Sequence, residues 1–124
     1  MTYDNLTPTE REFLDAWEEI YKRGHLTFWV LLALSSEPLA TPELYTKIRD
    51  FSANNFSVTE QSMYRALRRF HDVGLIEIKK GEDRRSKLYL LTGMGRNILK
   101  GFVERNIAPL YSLTLQNTFK ELSI

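Results

Sequence analysis

Between residues 59 and 72, side chains suited to gripping a polyanion recur at helical spacing. Gln61, Arg65, Arg68 and Asp72 follow i, i+4, i+7 and i+11, with Ser62 and Arg69 on the flank of the same face and Thr59 at its start. Guanidinium forks bind phosphate oxygens and guanine edges bidentately, and small amide and hydroxyl groups fit against base edges. A solvated helix whose long basic chains shade the core would carry the same residues. A second group, Lys79, Lys80, Arg84, Arg85 and Lys87, brackets a chain reversal that also holds Glu82 and Asp83. Lysines that guard the edge of an exposed hairpin would look alike. The two groups are independent features that point to one surface, and their coincidence favours contact with a polyanion.

The charge distribution agrees. The whole chain of 124 residues has a formal charge of only +1, but residues 57–100 hold ten basic and five acidic side chains, a net +5. The remainder is net −4, so the positive field is local. Other chemistry is poorly supplied. Without cysteine there are no disulfides, thiolate metal sites or cysteine nucleophiles, and a reducing compartment is compatible with that. The two histidines, His25 and His71, lack metal-ligand spacing, and His71 falls in a basic helix as a surface residue. Gly93-Met94-Gly95 lacks the third glycine and the parallel-strand context of a phosphate-binding turn and reads as a helix cap. Glu18-Glu19 lies on an exposed helix face with nothing to concentrate it. An enzyme, a metal centre and a bound cofactor are therefore not expected.

Length and composition suit one domain, residues 1–124, with 43% apolar and 27% charged side chains. The longest apolar run, Phe28 to Leu34, is far short of the roughly 20 residues that span a bilayer, and the acidic, polar N-terminus is unlike a signal peptide. A cytoplasmic protein without membrane contact is expected.

The elements that must position the basic residues follow from caps and periodicity. Thr7-Pro8-Thr9-Glu10 is a capping box for a helix with Phe13, Leu14, Trp17, Ile20 and Tyr21 on one stripe, ending before Gly24. His25 to about Ser35 is apolar on nearly every face and reads as the central buried helix, broken at Glu37-Pro38. Thr41-Pro42-Glu43 repeats the cap-plus-proline signature, with Leu44, Ile48 and Phe51 facing inward. Ser57 or Thr59 caps a fourth helix whose inward positions are Met63, Ala66, Leu67, Phe70 and Val73, and Gly74 is placed to terminate it. The period then changes to two. Residues 75–80 and 87–91 read as a β-hairpin with a charged tip, and Thr92 caps a last helix that Pro109 must kink or interrupt.

Three helices, a hairpin and a helix, with the basic helix just before the hairpin, is the order of a winged helix-turn-helix. That fold is mainly α (α+β), with a two-stranded β wing. In it the basic helix enters the DNA major groove and the hairpin tip touches the backbone or minor groove. The division expected is a core at 24–92 with terminal helices at 7–23 and 93–120. Segment 93–119 carries more apolar surface than one small domain buries, and Phe13, Trp17 and Tyr21 can meet it. Phe13, Trp17, Tyr21, Phe102, Ile107, Leu110 and Tyr111 are thus expected at a homodimer interface built from N- and C-terminal dimerisation helices.

From about Gly24 to Gly101 the chain resembles the PadR-like family of winged-helix transcriptional regulators. The resemblance lies in Leu26 to Leu34, in Ser62-Met63-Tyr64-Arg65-Ala66-Leu67-Arg68-Arg69-Phe70 followed by Gly74-Leu75-Ile76, and in Leu88-Tyr89-Leu90-Leu91-Thr92-x-x-Gly95-Arg96. The chain departs from the family at Ala40-Thr41-Pro42-Glu43-Leu44, where the family usually has His-Gly-Tyr-Glu-Leu, and at Glu60-Gln61-Ser62, where it usually has Pro-Gly-Thr. The resemblance implies recognition-helix contacts from Ser62, Tyr64 and Arg65, with Tyr64 on a phosphate, and pairing through the terminal helices.

The expectation is a homodimeric DNA-binding regulator, a repressor, acting on double-stranded DNA. Gln61, Ser62 and Arg65 would read base edges. Thr59, Tyr64, Arg68, Arg69, Lys80, Arg84, Arg85 and Lys87 would complete the contact surface, chiefly on phosphates. A winged helix that binds protein instead is the alternative, and it requires the arginines to be paired with carboxylates across the fold. Trp17, Phe28, Trp29, Phe102 and Tyr111 could line a pocket for a small apolar effector near the dimer interface, although aromatics at helical spacing are more often plain core.

Overall fold

Thr7 begins the first helix as its spacing requires. Its side chain accepts the Glu10 N–H (3.2 Å) and its own N–H donates to Glu10 Oε1 (2.8 Å). The Thr7 backbone N–H foremost, and then the Thr7 hydroxyl, hold the Glu10 carboxyl below its ordinary pKa. Helix α1 then runs Pro8–Arg23, followed by α2, Leu26–Ala33. The computed structural model describes residues 2–82 and 86–123. In α2, Val30, Leu31 and Ala33 are buried, and the partly buried Leu26, Trp29 and Leu32 pack against them. This helix is the hub, shorter than its apolar run suggests because Leu34 already closes it.

Helix α3 (Thr41–Phe51) starts one residue earlier than Thr41 as a cap would require. Ala40 holds the extended cap conformation, its carbonyl accepts the Leu44 N–H (3.0 Å), and Glu43 takes its N–H (3.3 Å). Alanine has no side-chain oxygen, so only half of the capping box forms. Leu44 and Ile48 are buried, but Phe51 is not. At the last turn its ring is left in solvent, where the Lys47 ammonium lies 6.0 Å from its centre. The helix ends in a Schellman motif: the Asn54 N–H reaches Arg49 O (2.8 Å) and the Ala53 N–H reaches Asp50 O (3.3 Å).

Thr59, not Ser57, caps α4 (Glu60–Asp72), accepting the Ser62 N–H at 3.1 Å. Met63, Leu67 and Phe70 bury its apolar stripe, Ala66 is half-buried, and Val73, already past the last helical turn, is exposed. Gly74 (φ +87°) closes a second Schellman motif, with the Leu75 N–H on Phe70 O (2.9 Å) and the Gly74 N–H on His71 O (3.1 Å).

Strands β1 (Ile76–Lys80) and β2 (Lys87–Leu91) pair antiparallel from Ile76 opposite Leu91 to Lys80 opposite Lys87. A feature without a sequence signature joins them: Leu39, in the α2–α3 connection, exchanges both backbone bonds with Tyr89 (3.1 and 2.9 Å). That bridge ties the wing to the far side of the helical core.

Thr92 stitches three elements together. Its hydroxyl lies 2.7 Å from Gly74 O and 3.0 Å from Leu75 O, and it accepts the Gly95 N–H (3.0 Å) at the start of α5, Gly93–Phe102. Gly95 is buried so close to the preceding chain that a Cβ would run into the Leu75 carbonyl oxygen. Arg96 reaches Ser35 O (3.0 Å) and fixes α5 to the end of α2. The last helix is interrupted as Pro109 requires. A π turn (Val103–Ile107) and a 3-10 turn (Ala108–Tyr111) lead to Ser112, whose extended backbone and side chain cap a separate α6, Leu113–Glu121. The result is a winged helix-turn-helix, mainly helical, with a two-stranded antiparallel sheet.

Candidate nucleic-acid interface

The face of α4 opposite Met63, Leu67 and Phe70 carries Gln61, Ser62, Tyr64, Arg65, Arg68, Arg69 and Asp72, all exposed. The amphipathic split places them there: the buried positions recur every three to four residues, leaving the arginines on the outer half of the cylinder. Arg65, Arg68 and Arg69 form a shallow open patch with Gln61, Tyr64 and Asp72. None of the three arginines makes a hydrogen bond or ion pair with a described residue. Their donors therefore face outward, and the cross-fold carboxylate pairing that would mark a protein-binding variant is missing among the described residues. Tyr64 is 64% exposed, so its ring is not part of the core.

Thr59 is committed locally. Its hydroxyl accepts the Ser62 N–H and donates to the Ser62 Oγ (3.0 Å), so it sets the start of α4 and orients Ser62. The Gly93-Met94-Gly95 turn is likewise occupied, since its buried Gly95 N–H is taken by Thr92. In the wing, Lys80 and Lys87 are exposed and directly opposite each other across the strands. Arg84 and Arg85 lie outside the described residues.

The aromatic residues divide into two sets. Phe28 packs on Trp29 (5.1 Å between ring centres) and on Phe102 (5.5 Å), bridging α2 and α5. The cavity beside Phe28 and Phe102 is only about 70 Å³, far below the roughly 300 Å³ typical of ligand clefts. Trp17 and Tyr111 make no ring contact with them. Trp17 is 63% exposed and Phe13 74% exposed, and with Ala16 and Ile20 they line an open apolar cleft along α1. Tyr21, Phe102, Leu110 and Tyr111 are exposed and Ile107 is half-buried. Exposed Leu113, Phe119 and Leu122, in and just after α6, extend the apolar surface beyond the expected set.

One concavity had no sequence signal. Tyr45 of α3, Tyr64 of α4 and Tyr89 of β2 converge with Glu60 on a cleft of about 550 Å³. Burial, and then the negative charge of Glu60, raises the Tyr45 hydroxyl pKa. These residues are far apart in the chain, and only the packing of the wing against α3 and α4 brings them together.

Among the described residues no cluster of three His, Asp or Glu can hold a metal, and no helix is long and apolar enough to cross a membrane. No curated protein matches the sequence. Solved structures do. A transcriptional regulator from Clostridium thermocellum superposes with a TM-score of 0.62 at 25% identity, over 67% of this chain and 81% of its own. A PadR family transcription regulator from Clostridium difficile gives 0.59 at 22% identity, over 66% and 86%. A PadR-like transcription factor from Bacteroides fragilis gives 0.56 at 23% identity, over 88% and 92%. The family model described as transcriptional regulator PadR-like matches residues 30–101, from the hub of the core through the basic helix and the wing to α5. With that span, and with an outward-facing basic helix followed by a wing, the chain belongs to the PadR-like family of transcriptional regulators.

Proposed function

We propose that the protein is a homodimeric repressor that inserts α4 into the DNA major groove and lays the β1–β2 wing along the backbone. The observation that carries the reading is the row of Arg65, Arg68 and Arg69, free of protein partners among the described residues, on the face of α4 opposite the core. In this reading Gln61, Ser62 and Arg65 meet base edges, while Tyr64, Arg68, Arg69, Lys80, Arg84, Arg85 and Lys87 hold phosphates, and Thr59 supports them by fixing Ser62. Residues 24–92 form the DNA-binding core. The flanking segments 7–23 and 93–120 supply the dimer contacts, from Phe13, Trp17 and Tyr21 to Phe102, Ile107, Leu110 and Tyr111. Two copies related by a two-fold axis then address half-sites about one helical turn apart, and a dimer seated across a promoter blocks transcription.

Fluorescence anisotropy with a mixed-sequence duplex at about 50 and 200 mM salt tests this. With about 6–10 phosphate contacts the affinity falls on the order of 10³–10⁵ across that range. An Arg65→Ala/Arg68→Ala/Arg69→Ala variant is expected to lose the binding while keeping its fold, because all three side chains are exposed. Absence of binding at the lower salt would sink the reading. Transcription from a promoter carrying the selected site is expected to fall when the protein is added, and a rise would make it an activator.

A further inference from the structure

Beside the basic face of α4 lies a surface of different character. Tyr45, Tyr64 and Tyr89 enter the cleft of about 550 Å³ from three elements, with Met63 and Leu67 and with Glu60. Its volume falls within the roughly 300–1,000 Å³ of small-molecule sites, and its lining is mainly aromatic and aliphatic. No lysine or arginine lines it, and its one formal charge, on Glu60, is negative. A phosphate is thus a poor occupant. The Tyr45 hydroxyl is raised in pKa by its burial first and by the negative charge of Glu60 second. None of the three phenol oxygens makes a hydrogen bond to a described residue. Tyrosine faces carry the negative end of the ring quadrupole, so three tyrosines lining a cleft beside a carboxylate suit a cation with an apolar body.

We propose that this cleft binds a small organic cation, an ammonium carried on an aromatic or alkyl group, and that its occupancy excludes DNA. The exclusion follows because Tyr64 belongs both to the cleft and to the outward patch of α4. This second half rests on the DNA-binding reading above; the site itself does not.

The probes are benzyltrimethylammonium, benzyl alcohol and phenylacetate, which share a ring and differ in charge, titrated into the full chain by calorimetry. The cation is expected to bind about tenfold more tightly than the other two, equivalent to about 1.4 kcal/mol. Glu60→Gln removes the charge from an exposed residue outside the core and is expected to erase that preference. Tyr45→Leu keeps apolar bulk but loses a ring face, and is expected to weaken the cation more than the alcohol. In anisotropy, saturating cation is expected to weaken the duplex about fivefold or more against sodium chloride at equal ionic strength, with no such effect on the Glu60→Gln variant. Equal affinity for the three probes, or a cation preference that survives both substitutions, overturns the site. Glu60-dependent binding that leaves DNA affinity unchanged overturns the competition alone. A protein that binds the cation but no DNA at any salt keeps the site and fails the DNA-binding reading instead.

Discussion

Single side chains carry the distinction between holding DNA and reading it. A phosphate contact is blind to sequence, whereas a guanidinium fork on a guanine edge is lost with the base pair. Arg65 lies one helical turn beyond Gln61 and next to Tyr64, in the first half of α4, where recognition helices meet bases; Arg69 lies a turn further on. Arg65→Ala is therefore expected to relax discrimination at one base pair by about 1–3 kcal/mol. Arg69→Ala is expected to weaken all sequences alike and to lower the slope of log K against log salt by about 1.8, because a dimer loses one phosphate contact from each copy. Competition binding against a panel of single-base-substituted duplexes separates the two, and equal, sequence-independent losses for both would refute the division. At this scale the sequence was informative where helical period decides exposure. Gln61, Arg65 and Arg68 face outward because Met63, Leu67 and Phe70 must face inward. It was uninformative where exposure depends on what packs over the end of an element. Phe51 and Val73 continue their stripes by spacing, yet each stands at a helix end with nothing above it. The tyrosine cleft was illegible for another reason: Tyr45 and Tyr89 carry no local signal, and they become neighbours only where the wing packs against α3 and α4.

Among the elements, the caps were the most readable part of the chain, because a cap is a local bargain between one side chain and the first free N–H groups. Thr7, Thr59, Thr92 and Gly74 all occupy the ends where their types belong. The two Schellman motifs differ in the residue that takes the left-handed turn: glycine at Gly74 after α4, alanine at Ala53 after α3 (φ +52°). A side chain in that region costs about 1–2 kcal/mol. The space beside Gly74 is open, its nearest neighbour being the Met94 sulfur at 3.6 Å, so Gly74→Ala is expected to cost about that amount through backbone strain alone. Ala53→Gly is expected to gain about 0.5–1 kcal/mol, less than the full strain because glycine also loosens the unfolded chain. Gly95→Ala is expected to be the most damaging of the three, since its methyl group would strike the Leu75 backbone carbonyl, which cannot swing aside, as well as the Leu91 side chain. Urea denaturation of the three variants checks the order, and an Ala53→Gly variant less stable than the parent would contradict the strain argument. What the caps did not reveal was the course of the last helix. Pro109 marked an interruption, but the π turn, the 3-10 turn and the restart at Ser112 carry no signature of their own in the sequence apart from the Ser112 cap.

At the scale of the whole molecule, the core and the apolar surface do not coincide. Helix α1 buries none of its residues, although Phe13, Trp17 and Ile20 form a continuous apolar stripe on it. Such a stripe is costly in a monomer and is the mark of a surface that another chain covers. Its removal should leave the winged-helix core intact, because the core lies in α2 to α5 and Ile76. If the parent pairs through α1 as proposed, a Phe13→Ser/Trp17→Ser variant is expected to be a folded monomer by sedimentation at concentrations where the parent sediments as a dimer. The melting temperature supplies an independent sign: dimerisation makes the parent's rise with protein concentration, whereas that of the variant stays constant. On DNA, losing one recognition helix of two removes half of the phosphate contacts, so the salt slope is expected to drop to about half. The parent should also prefer a duplex with two half-sites about one turn apart over a duplex with one, and the variant should not distinguish them. A parent that sediments as a monomer and treats both duplexes alike would show that the stripe on α1 serves another partner, and that each copy of α4 meets DNA alone.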